Sequence, residues 1–240
     1  MRLAKEGTRE LLIATAVLAV GAWGLSLLHP AAAVPAVVVW AWVLSFFRDP
    51  ERKRDYEPGE FCAPADGTVT EVSRLDDEPT IGGPALRVGI FLSIFDVHIN
   101  RSPCTGTVRE VLYKPGRFLD ARHRDSGTLN EANTLVIEPT PPLAGPVIVR
   151  QVAGLIARRI VCHAGAGSVL GRGERFGMIK FGSRTELIVP QGEGTEVTVE
   201  VGDKVKAGLT VMLRQQASAV HSGVEQSDES HPNRPISASA

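Results

Sequence analysis

The sequence predicts a mainly β fold: an antiparallel β-sandwich built from hairpins with few short helices, preceded by an N-terminal hydrophobic helical hairpin. Three observations predict it. Two long uncharged apolar runs open the chain and end by Phe47. From Tyr56 to Arg214 the apolar residues come instead in short stretches punctuated by Gly and Pro. One such stretch is echoed further along the chain, as in a sheet assembled from related hairpins.

The first run, Leu11 to Leu28, holds 18 residues and the second, Ala31 to Phe47, holds 17, parted only by His29-Pro30. At ~1.5 Å per residue each makes a helix of roughly 26 Å, close to the ~30 Å hydrocarbon thickness of a bilayer. Neither run offers a polar face to water, which argues against a soluble hairpin. The immediate second run argues against a cleaved signal peptide. Arg2, Lys5 and Arg9 precede the pair, and Arg48, Arg52, Lys53 and Arg54 follow it. The positive-inside bias then places both ends, and everything downstream, on the cytoplasmic face of the cell membrane. Pro35 and the shortness of the second run leave a spanning and a re-entrant hairpin both open.

Strands are expected at Gly67-Thr-Val-Thr-Glu-Val72, Leu86 to Leu92, Thr134 to Ile137, Thr185 to Val189 and Thr195 to Val201. Gly154 to Cys162 reads as a short helix. Pro64-Ala-Asp-Gly-Thr-Val-Thr-Glu-Val72 matches Pro103-Cys-Thr-Gly-Thr-Val-Arg-Glu-Val111 at six of nine positions, two turns each feeding a strand. Val201 to Gly208 adds a third turn of the kind used by lipoyl-like hammerhead hairpins. The stretch from Gln216 onward lacks periodicity and reads as disordered. The division is therefore 1–48 for a membrane-associated hairpin, 49–215 for a β-domain and 216–240 for a tail.

Composition narrows the function. Among 240 residues, 26 Lys and Arg balance 27 Asp and Glu for a net charge of −1, which excludes a globally basic nucleic-acid binder. Cys62, Cys104 and Cys162 are isolated, so neither a disulfide framework nor a zinc knuckle is expected. No histidine pair has metal-ligand spacing, and no glycine-rich loop opens a helix to hold a phosphate. No metal, no pyridoxal phosphate and no nucleotide are therefore expected.

Three motifs remain: Pro64-Ala-Asp-Gly67, Phe95-Asp-Val-His-Ile-Asn-Arg-Ser-Pro103 and Gly177-Met-Ile-Lys-Phe-Gly-Ser-Arg184. Singly, each has a structural reading: a turn aspartate, a core histidine, a tight hairpin. Together, and with Phe46-Phe-Arg-Asp-Pro-Glu-Arg52 after the hairpin, they resemble the short prokaryotic type of phosphatidylserine decarboxylase, over nearly the whole chain to about Arg214. Longer members carry Leu-Gly-Ser-Thr at the cleavage bond, whereas this chain reads Phe181-Gly-Ser-Arg184.

The resemblance implies a self-cleaving proenzyme cut between Gly182 and Ser183. Ser183 would become a covalent pyruvoyl group, with His98 as the base for cleavage and a candidate proton donor, and Asp66 as the acid that orients His98. These residue types suit the chemistry, since glycine permits the strained backbone that attack requires and a serine hydroxyl needs an adjacent base. The products would be a large chain, 1–182, and a small chain, 183–240, held together as a heterodimer, with higher oligomers open. The pyruvoyl ketone would form a Schiff base with the amine of phosphatidylserine and accept the electrons left by carbon dioxide, giving phosphatidylethanolamine. The phospholipid would be met at the membrane, where Arg52, Lys53 and Arg54 either attract headgroups or simply fix topology. His123 and Asn130-Glu-Ala-Asn133 are candidate headgroup contacts, and His163 is read as structural. The rival reading is a membrane-anchored adaptor or carrier with a lipoyl-like domain, which would need an exposed lysine where Lys180 falls inside a strand.

Overall fold

The computed structural model describes residues 2–121, 126–155, 159–180, 182–192 and 194–216. Its N-terminal part is the expected pair of helices. A short strand β1 (Arg2–Leu3) leads into α1 (Thr8–Ser26), and a 3-10 turn at Pro30–Ala33 leads into α2 (Val34–Phe46). The His29 side chain caps that turn by accepting from Ala31 N at 3.1 Å. Pro35 lies in the first turn of α2, where its missing N–H has no intrahelical acceptor to lose. With 19 residues α1 rises about 28 Å, and it is long and apolar enough to cross a membrane. None of its residues is buried, and Val20 and Trp23 stand 68% and 67% exposed. A single cross-helix bond, Trp40 Nε1 to Thr15 Oγ1 at 3.0 Å, ties the two helices. β2 (Arg48–Asp49) pairs with β1 and closes the base of the hairpin.

The rest is β structure, and every pairing between its strands is antiparallel. In chain order the strands are β3 (Glu60–Cys62), β4 (Gly67–Glu78), β5 (Gly83–Leu92), β6 (Ile99–Arg101), β7 (Gly106–Lys114), β8 (Ala132–Pro139), β9 (Val147–Val152), β10 (Ile160–Cys162), β11 (Val169–Leu170), β12 (Arg175–Ile179), β13 (Ser183–Pro190), β14 (Thr195–Val197), β15 (Lys204–Val205) and β16 (Val211–Gln215). Among the described residues the largest sheet runs β11-β7-β8-β9-β13-β5-β4-β15, with three-stranded sheets β10-β12-β6 and β14-β16-β3 beside it.

The sequence echo is the visible part of a pseudo-twofold duplication. Reading the large sheet from either end gives the same series, with β4, β5, β13 and β15 answering to β7, β8, β9 and β11. Gly67 pairs with Val205 as Gly106 pairs with Leu170, and the register slips after Val69 in one half and after Val108 in the other. Both glycines are required by close approach. A Cβ would fall 2.1 Å from the Phe91 carbonyl oxygen at Gly67 and 2.4 Å from that of Glu138 at Gly106. The small sheets correspond too, β3 with β6 and β16 with β12. One half, β6 to β12, is thus inserted between β5 and β13 of the other.

Alternation sets the core. Along β13, Thr185, Leu187 and Val189 share the parity of Ser183, and the two apolar ones join Val88, Ile90, Leu92, Leu135, Ile137 and Phe176 inside the curled sheet. Arg184 and Glu186 point the other way and form an ion-pair ladder with Glu71 and Arg150. Burial pushes the Cys62 and Cys104 thiols up, the latter to about 12, as befits small core residues.

Two local expectations are corrected. Ile160–Cys162, expected to end a helix, is strand β10, because its β-branched Ile-Val pair completes the edge of β12. The strand expected over Thr195 to Val201 stops at Val197, and Val201 begins the turn that Gly202 completes with φ +107°. Residues 217–240 of the tail and His123 lie outside the described residues.

Candidate active site

The topology gathers one end of the large sheet. Ser183 opens β13 opposite Leu92, the last residue of β5, and Gly67 at the head of β4 abuts the neighbouring Phe91 carbonyl. Asp66, Leu92 and Ser183 therefore share that end. His98 sits just before β6, and its carbonyl accepts from Ile179 N at 3.2 Å, three residues short of Gly182. The sequence-predicted residues are thus carried to one place by three separate strands.

Ser183 is fully buried, and among the described residues its Oγ has no hydrogen-bond partner. A buried hydroxyl without a partner costs about 1–3 kcal/mol, so its retention at this point of the sheet calls for a use. Gly182 takes φ +61°, the left-handed region in which an L side chain costs about 1–2 kcal/mol. Its carbonyl oxygen lies so close to Gly154 that a Cβ on Gly154 would stand 2.0 Å away. Two glycines therefore set the carbonyl preceding Ser183, one by conformation and one by making room.

His98 is also fully buried, and its ring packs on Phe46 with centroids 4.3 Å apart. Nδ1 lies 3.0 Å from the Asp96 carbonyl oxygen, which can only accept, so Nδ1 carries the proton. Nε2 is left as an acceptor, and it too has no partner among the described residues. Burial holds the imidazole down to about 4, so it is neutral across physiological pH. Asp96 itself is locked by Ser93, whose N–H and Oγ donate to Oδ2 at 2.8 and 2.7 Å.

Asp66 is placed differently from the sequence expectation. Its carboxylate receives both arms of the Arg52 guanidinium, one at 2.7 Å, and the Ala207 N–H at 2.8 Å. His98 Nδ1–H donates to the Asp96 carbonyl instead, and Asp66 acts on the imidazole through its charge, which favours the protonated ring. Arg52, read from the sequence as a surface cation, is buried with a side chain only 6% exposed.

Arg52 ends a motif in which nearly every side chain grips the site. Phe46 covers His98. Arg48 spans from the Ser45 carbonyl to the Phe95 carbonyl, each at 2.7 Å, and Asp49 bonds Arg101 at 3.2 Å and Arg175 at 2.7 Å. A second set of contacts was not visible in the sequence. Asn100 donates to Thr185 Oγ1 at 3.1 Å, Gln151 to Asn100 at 2.9 Å and Asn133 to Gln151 at 3.0 Å, all buried. Asn100 stands two residues from His98 and Thr185 two from Ser183, so this chain of amides fixes the register between their strands.

The other candidates fall elsewhere. Asn130 is spent on the Leu119 amide and carbonyl and the Ala153 carbonyl, which makes it a brace for the segment leading to Gly154. His163 bonds Glu6 at 2.6 Å. Lys180 is 5% exposed and tied to Glu10 at 2.7 Å, out of reach for a carrier-type attachment.

A buried hydroxyl with an uncommitted proton, a neutral imidazole with an uncommitted lone pair and a glycine carbonyl held between two constraints suit attack of a serine on the preceding peptide bond. Comparison with known proteins agrees. The family model for phosphatidylserine decarboxylase matches residues 39–213. A phosphatidylserine decarboxylase proenzyme of Rhodopirellula baltica is 49% identical over 185 residues, 77% of this chain and 76% of that one. Proenzymes of the same name from Magnetococcus marinus and Solidesulfovibrio magneticus are each 42% identical, covering 74% and 85% of this chain and 81% and 90% of theirs. The matched range takes in every motif from Phe46 to the Gly-Ser pair, and the relatives cover most of the chain: the chain belongs to the phosphatidylserine decarboxylase family.

Proposed function

We propose that this chain is a proenzyme that cuts itself between Gly182 and Ser183 and then decarboxylates phosphatidylserine to phosphatidylethanolamine. The observation that carries the reading is the unpartnered, buried Ser183 Oγ behind a left-handed Gly182. In the self-cleavage, Ser183 Oγ adds to the Gly182 carbonyl carbon while His98 Nε2 takes the hydroxyl proton, and the acyl group passes from nitrogen to oxygen. Loss of the Cα proton of residue 183 expels the Gly182 carboxylate and leaves a dehydroalanine, which water converts to a ketone with release of ammonia. The chains 1–182 and 183–240 result.

The site fits a pyruvoyl group at position 183, because the residue that would carry the ketone is already buried, its Oγ is uncommitted and the amide to Arg184 follows it. Such a group supplies an electrophile for the substrate amine and a sink for the electrons freed with carbon dioxide. Around it this chain's residues exclude water, with Phe46 closing one side, and keep a neutral base at His98 Nε2 available for proton transfer. Asp66 and Arg52 hold the head of β4 in place and set the local charge.

We read residues 1–48 as a membrane-associated hairpin. Its bare apolar helices support this, as does the substrate, whose two acyl chains keep it in the bilayer. The basic residues at both ends of the hairpin support a cytoplasmic catalytic domain. Intact-mass measurement of the purified protein tests the reading: two chains are expected, the smaller lighter than its serine-started form by one ammonia. A single chain with an intact hydroxyl at 183 would overturn it.

A further inference from the structure

A cavity of about 290 Å³ reaches the scissile pair, with Gly182 in its wall and Phe95 and Leu155 at its rim. Those two loop residues are 68% and 60% exposed, on a domain whose apolar strand residues are mostly buried. The cavity is at the small end of ligand pockets, ~300–1,000 Å³, with room for a serine headgroup but not for two acyl chains. A phospholipid using it must leave its chains outside, past the rim.

The rim is attached to the hairpin. Arg48 donates to the Phe95 carbonyl at 2.7 Å and, with its other nitrogen, to the Ser45 carbonyl and hydroxyl in the last turn of α2. Phe95 is thereby held one side chain away from the point where the apolar helix ends. Resting on the phosphatidylserine reading, we propose that Phe95 and Leu155 are bilayer-inserted: a lipid-facing rim through which the headgroup of a phospholipid still seated in the membrane enters the cavity at Gly182. The occupant of this apolar surface is lipid, because Arg48 fixes Phe95 to the end of α2, an apolar helix whose earlier turns, Val34 to Trp40, are bare.

Depth measurement tests this without relying on turnover. Nitroxides are placed at Phe95→Cys and Leu155→Cys in full-length Ser183→Ala, Cys162→Ser protein, where Cys62 and Cys104 are fully buried. Tyr113→Cys, 62% exposed on β7, serves as the solvent control. In vesicles of phosphatidylcholine and phosphatidylserine, positions 95 and 155 should collide with oxygen in preference to a nickel chelate by several-fold over position 113. Equal ratios at all three positions would overturn the inference. Shielding from both reagents would also overturn it, since that means a protein partner covers the rim. As a second measurement on processed enzyme, Phe95→Ser should lose at least tenfold more activity on vesicles than on monomeric dihexanoyl phosphatidylserine, and equal losses would sink the role. Failure of the underlying functional reading is seen separately, as absence of self-cleavage in the parent chain.

Discussion

Replacing Gly154 by alanine puts the self-cleavage geometry to a direct test. Position 154 does not take a left-handed conformation, so alanine costs nothing in backbone strain there. Its Cβ would nevertheless stand 2.0 Å from the Gly182 carbonyl oxygen and 3.1 Å from the carbonyl carbon, where real contacts stay above 3.0 Å. The carbonyl or the Gly154 segment must therefore retreat by about 1 Å, and the group displaced is the electrophile Ser183 has to reach. A misplacement of that size costs on the order of 100-fold in a positioned reaction. The assay follows the uncut chain with time on a denaturing gel after synthesis, with circular dichroism to confirm folding. Gly165→Ala, whose Cβ meets nothing within 4 Å, is the control and should process normally. Cleavage of a folded Gly154→Ala at the parent rate would refute the claim that this glycine seats the scissile carbonyl.

Four further outcomes are expected. The self-cleavage rate should stay flat from pH 8 to about 5 and fall only below, because burial holds His98 to about 4. A midpoint near 6.5 would mean that the base titrates in water. The same depression makes His98 stabilise the fold fully above pH ~6.5 and progressively less as pH falls toward 4, since the unfolded chain binds that proton first. Arg52→Gln strands Asp66 as a buried unpaired carboxylate and should cost about 3–5 kcal/mol in urea unfolding, whereas a surface cation would cost almost nothing. Asn100→Ala leaves the Gln151 amide and the Thr185 hydroxyl short of a partner and should lower stability by about 1–3 kcal/mol in the same assay.

How much of this was legible depends on distance along the chain. The strands at Gly67, Leu86, Thr134 and Thr185 were readable because β-branched and other apolar residues mark them, alternating along β4 and nearly continuous where both faces are buried, as in β13. Ile160–Cys162 was not, since its local spacing fits a helix and only the pairing with β12 decides otherwise. Ser183, Gly182 and His98 stood out by residue type within short motifs. The partner of Asp66 did not: Arg52 looks like any other cation after a membrane segment, and nothing local says that it folds back to a turn 14 residues on. The Gly154–Gly182 contact and the Asn100–Thr185 bond join segments far apart in the chain, so they exist only once the duplicated halves have closed on each other.

That closure also determines what the proposed cut would leave behind. The bond between 182 and 183 lies where the inserted half, β6 to β12, returns to the half it interrupts. After the proposed cleavage the small chain would begin with β13, which pairs with β5 on one side and β9 on the other. Its β15 remains paired with β4 and its β16 with β3, so three of its strands are held in sheets by the large chain. Leu187, Val189, Val205, Met212 and Leu213 go on filling the common core. Breaking one peptide bond removes none of these interactions, and the new ends need to part only at the sheet end where the site lies. The two chains should therefore co-elute as one species in native size-exclusion chromatography at nanomolar concentration and separate only in denaturant. Release of the small chain on simple dilution would show that the halves are not interleaved in this way, and the site that depends on strands from both chains would fall apart with it.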